Sequence, residues 1–174
     1  MQILSQNPHQ VNAFCAAIQA LKTGGIILAD EVGLGKTIEA GLVLNYVLDN
    51  GAKKVLISLP ATLRKQWEVE LLEKFGRQAV ILDRYTVEHD LANVRTHLGN
   101  ADEVSIVIAS YDYSSKLIKR FPHVKWDFLI IDEAHNLRNV FHGTKRAKNL
   151  YDLTHGIPKI LLTATPLQNS LTDL

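Results

Sequence analysis

Residues 30–37, with the sequence Asp-Glu-Val-Gly-Leu-Gly-Lys-Thr, form the stretch that most constrains the fold of this chain. An apolar run at residues 26–29 precedes the stretch and predicts a buried strand. Ile38, Leu42 and Tyr46 follow it at a spacing of four residues, which predicts one face of a helix. A strand, a glycine-rich turn and a Lys-Thr pair at the start of a helix form the layout of a phosphate-binding loop.

The residues of this stretch suit the chemistry of nucleotide phosphates. Gly33 and Gly35 carry no Cβ atom, so the backbone can turn tightly and approach phosphate oxygens. The amides and the dipole at a helix N-terminus both attract that negative charge. We expect Lys36 to reach the β- and γ-phosphates of ATP, and the hydroxyl of Thr37 to ligate Mg²⁺. The predicted ATP-binding residues of the loop are Asp30, Glu31, Val32, Gly33, Leu34, Gly35, Lys36 and Thr37.

The first position of the stretch departs from the strict phosphate-loop pattern, which has glycine where this chain has Asp30. An ordinary strand-to-helix turn that carries Gly-Leu-Gly-Lys-Thr is therefore the alternative interpretation. Other parts of the chain have to decide between the two.

Length and composition favour one globular domain over residues 1–174, because 47% hydrophobic and 21% charged residues are typical of a globular chain. The net charge of +1 gives no global argument for a nucleic-acid partner, so any such argument has to be local. Cys15 is the only cysteine, which fits a reducing compartment, and we expect a cytoplasmic protein with no membrane span. Because Cys15 falls in a helical apolar stripe, the pattern also predicts a buried thiol.

Six short apolar runs predict strands, at residues 26–29, 55–59, 79–82, 104–109, 128–131 and 159–162. Helical patterns alternate with these runs, and the N-caps expected for four of the helices are Asn7, Thr62, Thr86 and Thr144. The helix that opens at Thr86 is predicted to continue through Leu98. Strands that are apolar throughout are buried on both faces, so the alternation predicts an α/β fold in which helices cover both faces of a mostly parallel sheet.

Polar residues of chemical interest follow four of the predicted strands, at residues 30–37, 60–62, 132–135 and 163–165. In a doubly wound sheet, ligands bind outside the carboxyl ends of the strands. We therefore expect these four segments to line one ligand site.

Asp132 and Glu133 directly follow a predicted strand and supply two adjacent carboxylates. A nucleotide site needs one carboxylate for Mg²⁺ and a second group that orients or deprotonates the attacking water. Asp132 fits the first role and Glu133 the second, and with Lys36 they form the predicted catalytic set. A solvated turn with two acids is the alternative, but the phosphate loop earlier in the chain favours the nucleotide site.

Three segments resemble motifs I, II and III of superfamily-two helicase-like ATPases and occur in the same order. They are residues 30–37, the Asp-Glu-Ala-His box at 132–135, and Leu-Thr-Ala-Thr-Pro at 162–166. Asn139, shortly after the box, and Leu-Gln-Asn at 167–169 make the chain similar to Swi/Snf-type DNA translocases. The resemblance implies the first RecA-like, P-loop lobe of such an enzyme.

The same resemblance explains the departure at the start of the loop, because an acidic residue at the position of Asp30 is normal in this family. The Glu-Ala-Gly segment after Ile38 is more similar to the bacterial branch, including the RNA-polymerase-recycling ATPase, than to eukaryotic remodellers. Nearly the whole chain, from about residue 8 onward, takes part in the resemblance.

The resemblance also implies roles for residues outside the loop and the box. Gln10 matches a glutamine that reads adenine, although a helix-capping glutamine is the alternative. His135 is expected to link motifs II and III, and Thr163 and Thr165 to couple the state of the γ-phosphate to DNA contacts. The residues expected to border the nucleic-acid track, where hydroxyls and helix N-terminal amides hold backbone phosphates, are Pro60, Thr62, Arg64, Ser110 and Tyr111.

Family members carry a second RecA-like lobe in cis, whose arginines reach the γ-phosphate, and the resemblance implies such a lobe outside residues 1–174. The full protein is then expected to move along double-stranded DNA with ATP and to remodel or displace bound protein. We expect the isolated lobe to bind ATP weakly and to hydrolyse it negligibly. A P-loop phosphotransferase and a non-catalytic nucleotide-binding scaffold are the alternatives.

Overall fold

The computed structural model describes residues 8–29, 35–137 and 145–164, which form one sheet with helices on both sides. The strands are β1 Gly25–Ala29, β2 Lys54–Leu59, β3 Val80–Ile81, β4 Ser105–Ser110, β5 Phe128–Ile131 and β6 Lys159–Thr163. The helices are α1 Pro8–Leu21, α2 Lys36–Asp49, α3 Arg64–Phe75, α4 Arg84–His89, α5 Leu91–Gly99, α6 Tyr111–Arg120 and α7 Lys145–Thr154.

All six strands pair in parallel, in the order β1-β6-β5-β2-β4-β3. Parallel neighbours need crossover connections, and a helix lies between successive strands of the chain. The predicted α/β architecture is therefore confirmed, and the sheet is parallel throughout the part of the chain that the structure describes.

Two hydrophobic cores explain why the strands are apolar runs without alternation. Successive residues of a strand point to opposite faces, so Val55 and Ile57 of β2 pack on one side and Leu56 on the other. One core joins the sheet to α1, α2 and α3, and the other joins it to α4, α5, α6 and α7. Both faces of β2, β4 and β5 are buried, as the sequence predicts.

The predicted continuous helix from Thr86 to Leu98 is wrong, because Asp90 separates α4 from α5. The apolar spacing runs through the break and hides it, since Val87 and Val94 are buried in the same core. The N-cap is also earlier than predicted. Asp83 caps α4, and its carboxylate accepts hydrogen bonds from the amide and hydroxyl of Thr86.

Two further local predictions need correction. Thr62 does not cap α3, because a 3₁₀ turn at Ala61–Leu63 leads into that helix without a side-chain cap. Cys15 is exposed rather than buried, so the packed face of α1 is formed by neighbours such as Ala17. The predicted caps Asn7 and Thr144 lie outside the described residues. Within the described ranges, no helix is long and apolar enough to cross a membrane.

Candidate nucleotide site

The four strands that carry polar residues at their ends are neighbours in the sheet, in the order β1-β6-β5-β2. Ala29, the last residue of β1, pairs with Thr163 at the end of β6. Ile131, the last residue of β5, pairs with Leu161 on one side and Ser58 on the other. The strand order therefore brings the carboxyl ends of β1, β2, β5 and β6 to one edge, as a ligand site at that edge requires.

The start of α2 provides the part of this edge that suits phosphate. Gly35 stands at the N-cap with φ 93°, a left-handed conformation that favours glycine, and its carbonyl accepts from the amides of Ile38 and Glu39. Lys36 and Thr37 open the helix, where the first amides have no carbonyl ahead of them within the helix. Asp30, Glu31, Val32, Gly33 and Leu34 lie outside the described residues.

Asp132 forms the acidic part of the site just beyond the end of β5, and its side chain is buried. One carboxylate oxygen, Oδ2, accepts a hydrogen bond from Nε1 of Trp67 at 2.8 Å. The other, Oδ1, accepts from the backbone amide of Glu133, also at 2.8 Å. Both oxygens are therefore held by N–H donors from different parts of the chain.

Burial raises the pKa of the Asp132 carboxyl above its ordinary value, and the negative charge of Glu133 raises it further. The hydrogen bonds from Trp67 and from the Glu133 amide lower this pKa, as does the positive charge of Lys36. The carboxylate thus lies within electrostatic reach of the lysine at the start of α2. Because burial disfavours its negative charge, a cation at this position would be stabilising, which fits the chemistry of a Mg²⁺ ligand.

Glu133 has a left-handed backbone with φ 50°, which no other described non-glycine residue shares. The hydroxyl of Tyr111 lies within hydrogen-bonding distance of two carbonyls here, that of Asp132 and, at 3.1 Å, that of Glu133. The Nδ1 atom of His135 is 3.1 Å from Oε2 of Glu133. That distance allows an ion pair when the ring is protonated, but the angles do not make a hydrogen bond.

The predicted nucleic-acid residues fall into two groups. Thr62 is exposed in the 3₁₀ turn that follows β2, with Pro60 at the start of that turn. Arg64 is engaged with the chain itself, since Nε donates to the carbonyl of Ala61 and the guanidinium pairs with Asp83 at 3.2 Å. These segments lie at the same sheet edge as the nucleotide residues.

The second group opens α6. Ser110 caps this helix, and its hydroxyl accepts a hydrogen bond from the amide of Tyr113. Tyr111 is only 4% exposed and points its hydroxyl toward the carbonyls of Asp132 and Glu133, so its side chain contacts the acidic turn rather than the surface. Thr163 is buried at the end of β6. The side chain of Gln10 and the whole of Thr165 lie outside what the structure describes.

Sequence reasoning missed two features of buried side chains in the helices beside the site. Trp67 is predicted only as a member of the apolar face of α3, yet its ring nitrogen holds Asp132. A buried tryptophan usually places its N–H on an acceptor, which was the available signal, but the partner is 65 positions away in the chain. Glu39, fully buried in the first turn of α2, gave no sequence signal that set it apart from a surface acid.

Comparisons with known proteins agree with this geometry. Residues 9–174 match the family description "SNF2-related domain". The protein "Uncharacterized ATP-dependent helicase YqhH" of Bacillus subtilis is 38% identical over an alignment of 177 residues, which covers 96% of this chain and 28% of that protein.

A comparison with solved structures identifies the same family from the fold. The SWI2/SNF2 ATPase core of Sulfolobus solfataricus in complex with dsDNA matches with a TM-score of 0.74 at 26% identity, covering 100% of this chain and 36% of that one. The chain therefore spans between 28% and 36% of the length of these two proteins. Its α/β sheet is the RecA-like fold predicted from the sequence. The family match and the shared fold together show that this chain is a Swi/Snf-type, superfamily-two helicase-like ATPase lobe and belongs to the SNF2-related domain family.

Proposed function

We propose that this chain is the ATP-binding lobe of a DNA-dependent ATPase that moves along double-stranded DNA and remodels or displaces bound protein. One observation carries the proposal. Lys36, at the N-terminus of the helix that follows β1, and the buried carboxylate of Asp132, which follows β5, lie at the same edge of the sheet, where four neighbouring strands end. A phosphate-binding helix start beside a buried acid is the arrangement that ATP with a divalent cation requires.

ATP binds with its phosphates at the start of α2. Gly35 and the first amides of the helix approach the phosphate oxygens, and Lys36 neutralises their charge. Residues 30–34 are proposed to bind ATP with them, and Gln10 to read the adenine. Glycine suits the N-cap position because it has no Cβ atom to keep the phosphate oxygens away from the backbone amides.

Thr37 and Asp132 would hold Mg²⁺, because a hydroxyl and a carboxylate are oxygen ligands that this ion prefers. When bound, the ion neutralises charge that develops on the phosphates during transfer. Glu133 orients the attacking water and accepts its proton. Lys36, Asp132 and Glu133 are thus the catalytic residues of the lobe.

The nucleic-acid track follows the turn after β2 and the start of α6. Thr62 and Ser110 hold backbone phosphates with hydroxyls, assisted by Pro60 as the rigid start of the turn and by helix N-terminal amides. Arg64 contributes by fixing the turn through Asp83. Support comes from the Sulfolobus solfataricus core, which was solved in complex with dsDNA. Because DNA is the track, we expect the protein to work in the cytoplasm, at the nucleoid if the source is bacterial.

Coupling between nucleotide and DNA runs along the same sheet edge. His135 lies beside Glu133, and Thr163 ends the strand next to β5. We propose that these two residues, with Thr165, pass the state of the γ-phosphate to the DNA contacts. A second RecA-like lobe in cis supplies the arginines for hydrolysis, which are worth roughly 10³–10⁵ in kcat, or about 4–7 kcal/mol of barrier. The isolated lobe should therefore bind ATP weakly and turn over negligibly.

A titration of a fluorescent ATP analogue with Mg²⁺ tests the nucleotide site directly. We expect saturable binding to this chain, and loss of binding in Lys36→Ala. The matched control is Lys125→Ala, an exposed lysine in the loop that leads to the opposite end of β5. Equal binding by both variants would reject the loop as the nucleotide site. If neither the wild type nor the variants bind, the titration is repeated with the full-length protein, where continued absence of binding rejects the proposal.

Two alternatives make different predictions for the full-length protein. A P-loop phosphotransferase would hydrolyse or transfer phosphate without any response to DNA, whereas a translocase is stimulated by double-stranded DNA. A non-catalytic scaffold would keep its biological activity in Glu133→Gln, whereas an ATPase loses hydrolysis in that variant and retains ATP binding. A DNA-stimulated activity that Glu133→Gln abolishes excludes both alternatives.

A further inference from the structure

Two aromatic side chains reach the Asp132–Glu133 turn from different helices. Trp67 comes from α3 and contacts the side chain of Asp132, while Tyr111 comes from α6 and contacts the backbone. Both aromatic residues are nearly inaccessible to solvent, at 2% and 4% exposure. Both are buried beside the Asp132–Glu133 turn, so they act on the site through the two acids.

Trp67 limits the orientations that the Asp132 carboxylate can take. Its indole nitrogen is only a donor, so Oδ2 has to remain its acceptor, at 2.8 Å. The amide of Glu133 holds the other oxygen at the same distance. With one N–H on each oxygen, the plane of the carboxylate is set before any cation arrives.

Tyr111 acts on the backbone that follows. Its hydroxyl lies near the carbonyls of Asp132 and Glu133, and Glu133 is the residue with the left-handed φ of 50°. Such a conformation is unfavourable for a side chain with a Cβ atom, so surrounding contacts have to maintain it. The direction in which the Glu133 carboxylate leaves the chain depends on this backbone.

We propose that Trp67 and Tyr111 are positioning residues for hydrolysis: Trp67 orients the Asp132 carboxylate toward Mg²⁺, and Tyr111 holds the Glu133 backbone so that its carboxylate meets the attacking water. The proposal rests on the function proposed above. It assigns the two residues different effects. Loss of the Trp67 N–H weakens the binding of Mg²⁺, so more of the ion is needed, whereas loss of the Tyr111 hydroxyl slows the chemical step.

The test uses the full-length protein and ATP hydrolysis at saturating DNA over a Mg²⁺ series. Trp67→Phe keeps a ring in the core and removes the N–H. Its matched control is Trp126→Phe, the same change at a buried indole whose Nε1 has no hydrogen-bond partner among the described residues. We expect the Mg²⁺ concentration for half-maximal activity to rise roughly tenfold in Trp67→Phe only, as removal of a group that orients a metal ligand does. Nucleotide binding without Mg²⁺ should be unchanged.

Tyr111→Phe removes one oxygen atom and leaves the ring in place. Its matched control is Tyr113→Phe, a buried tyrosine of the same helix whose hydroxyl makes no hydrogen bond to the acidic turn. We expect kcat to fall roughly three- to tenfold in Tyr111→Phe, the effect of one buried hydrogen bond, with KM for ATP nearly unchanged. If the two residues had a purely structural role, Trp67→Phe and Tyr111→Phe would both lower the melting temperature. The Mg²⁺ dependence would then not change in one variant alone, and kcat would not fall at constant KM in the other.

The outcomes separate this proposal from the function on which it rests. If the wild-type protein hydrolyses ATP and both Trp67→Phe and Tyr111→Phe match their controls, the positioning role is overturned and the proposed function stands. A wild-type protein without DNA-stimulated hydrolysis overturns the proposed function, and the positioning role with it. Tyr111→Phe, the smaller change, keeps the test decisive if Trp67→Phe proves too unstable to assay.

Discussion

The ring of Phe75 occupies the space that a Cβ atom on Gly41 would need, since such an atom would lie 2.2 Å from Cζ of that ring. Gly41 lies within α2 and Phe75 is the last residue of α3. The contact lets the two helices approach closely on one face of the sheet. The contact between these helices also fixes the relative positions of two site residues, because α2 carries Lys36 and α3 carries Trp67.

Gly41→Ala should destabilise the protein despite the better helix propensity of alanine. Overpacking typically costs about 1–3 kcal/mol, and replacing glycine within a helix returns about 1 kcal/mol, so we expect a net loss of up to about 2 kcal/mol. Chemical denaturation measures the change. Gly99→Ala in α5 is the control, because nothing lies within 4 Å of its added Cβ atom. If the contact is the cause, Gly41→Ala is tolerated once Phe75 is changed to Leu.

Asp83→Ala should lower the free energy of unfolding by about 0.5–2 kcal/mol at neutral pH, the usual effect of losing an N-cap. Asp90→Ala, at the N-cap of α5, is the matched control because its carboxylate makes no cap hydrogen bond. The hydrogen bond from the Thr86 amide is the main cause that lowers the pKa of Asp83 below its ordinary 3.8, and Arg64 adds to it. A difference between the two variants of less than a few tenths of a kcal/mol would count against the cap.

The pH dependence of the Asp83 contribution follows from the sign of that shift. A carboxyl with a lowered folded-state pKa stabilises the fold above its unfolded-state pKa, and this contribution disappears as pH falls through the folded-state value. The stability gap between wild type and Asp83→Ala should therefore be constant at neutral pH and shrink below pH 3.8. Denaturation curves at a series of pH values measure it.

Lys54→Met should destabilise the lobe at the end of the sheet opposite the site. The Lys54 ammonium is buried and donates to the carbonyls of His97 and Glu103 and to the Ser105 hydroxyl, at 2.8–2.9 Å. Methionine fills similar volume but removes all three bonds. The His97 carbonyl keeps a hydrogen bond from the Ser105 hydroxyl, whereas the Glu103 carbonyl loses its lysine donor, at about 1–3 kcal/mol for a buried group. Burial also lowers the pKa of this lysine. The desolvation of its charge therefore opposes the stabilisation that the three hydrogen bonds provide. The free energy of unfolding of Lys54→Met is compared with that of the neighbouring variant Lys53→Met. Equal values would mean that the cost of desolvating the Lys54 charge cancels the three hydrogen bonds.

Glu133→Gly should be more stable than Glu133→Ala by about 1 kcal/mol, because only glycine adopts a left-handed backbone without strain. Both variants lack the carboxylate, so the comparison isolates the backbone. The same pair at Asn136, in the neighbouring 3₁₀ turn with no positive φ, should show the opposite order. Equal stability of the two Glu133 variants would show that the φ of 50° stores no strain.

The strands and the site edge could be predicted from sequence because their signals are local. The run from Phe128 to Ile131 is apolar at every position, and the structure makes those residues a strand buried on both faces. Gly76 ends α3 in a left-handed conformation with φ 63°, as a glycine after an apolar stripe indicates. Asp132 and Glu133 directly follow the strand, so their place at its carboxyl end followed from the strand alone.

Other features depend on contacts that no local pattern contains. The hydrogen bond between Trp67 and Asp132 joins helices and strands far apart in the chain, and apolar spacing records only that Trp67 is buried. The helical spacing of apolar residues continues from α4 into α5, so it gives no sign of the break at Asp90. Cys15 falls in the apolar stripe of α1 but on its exposed margin, where the sequence shows no difference from a core position.

The position of β6 between β1 and β5 has a consequence for how the molecule is made. While the chain is being synthesised, β1 has no strand neighbour in the described sheet until residues 159–163 leave the ribosome. Parallel strands that are distant in sequence assemble slowly, so the edge of β1 is open to chaperones during this interval. Among the described strands, the edge that carries Lys36 and Asp132 is completed only when β6 pairs with both β1 and β5.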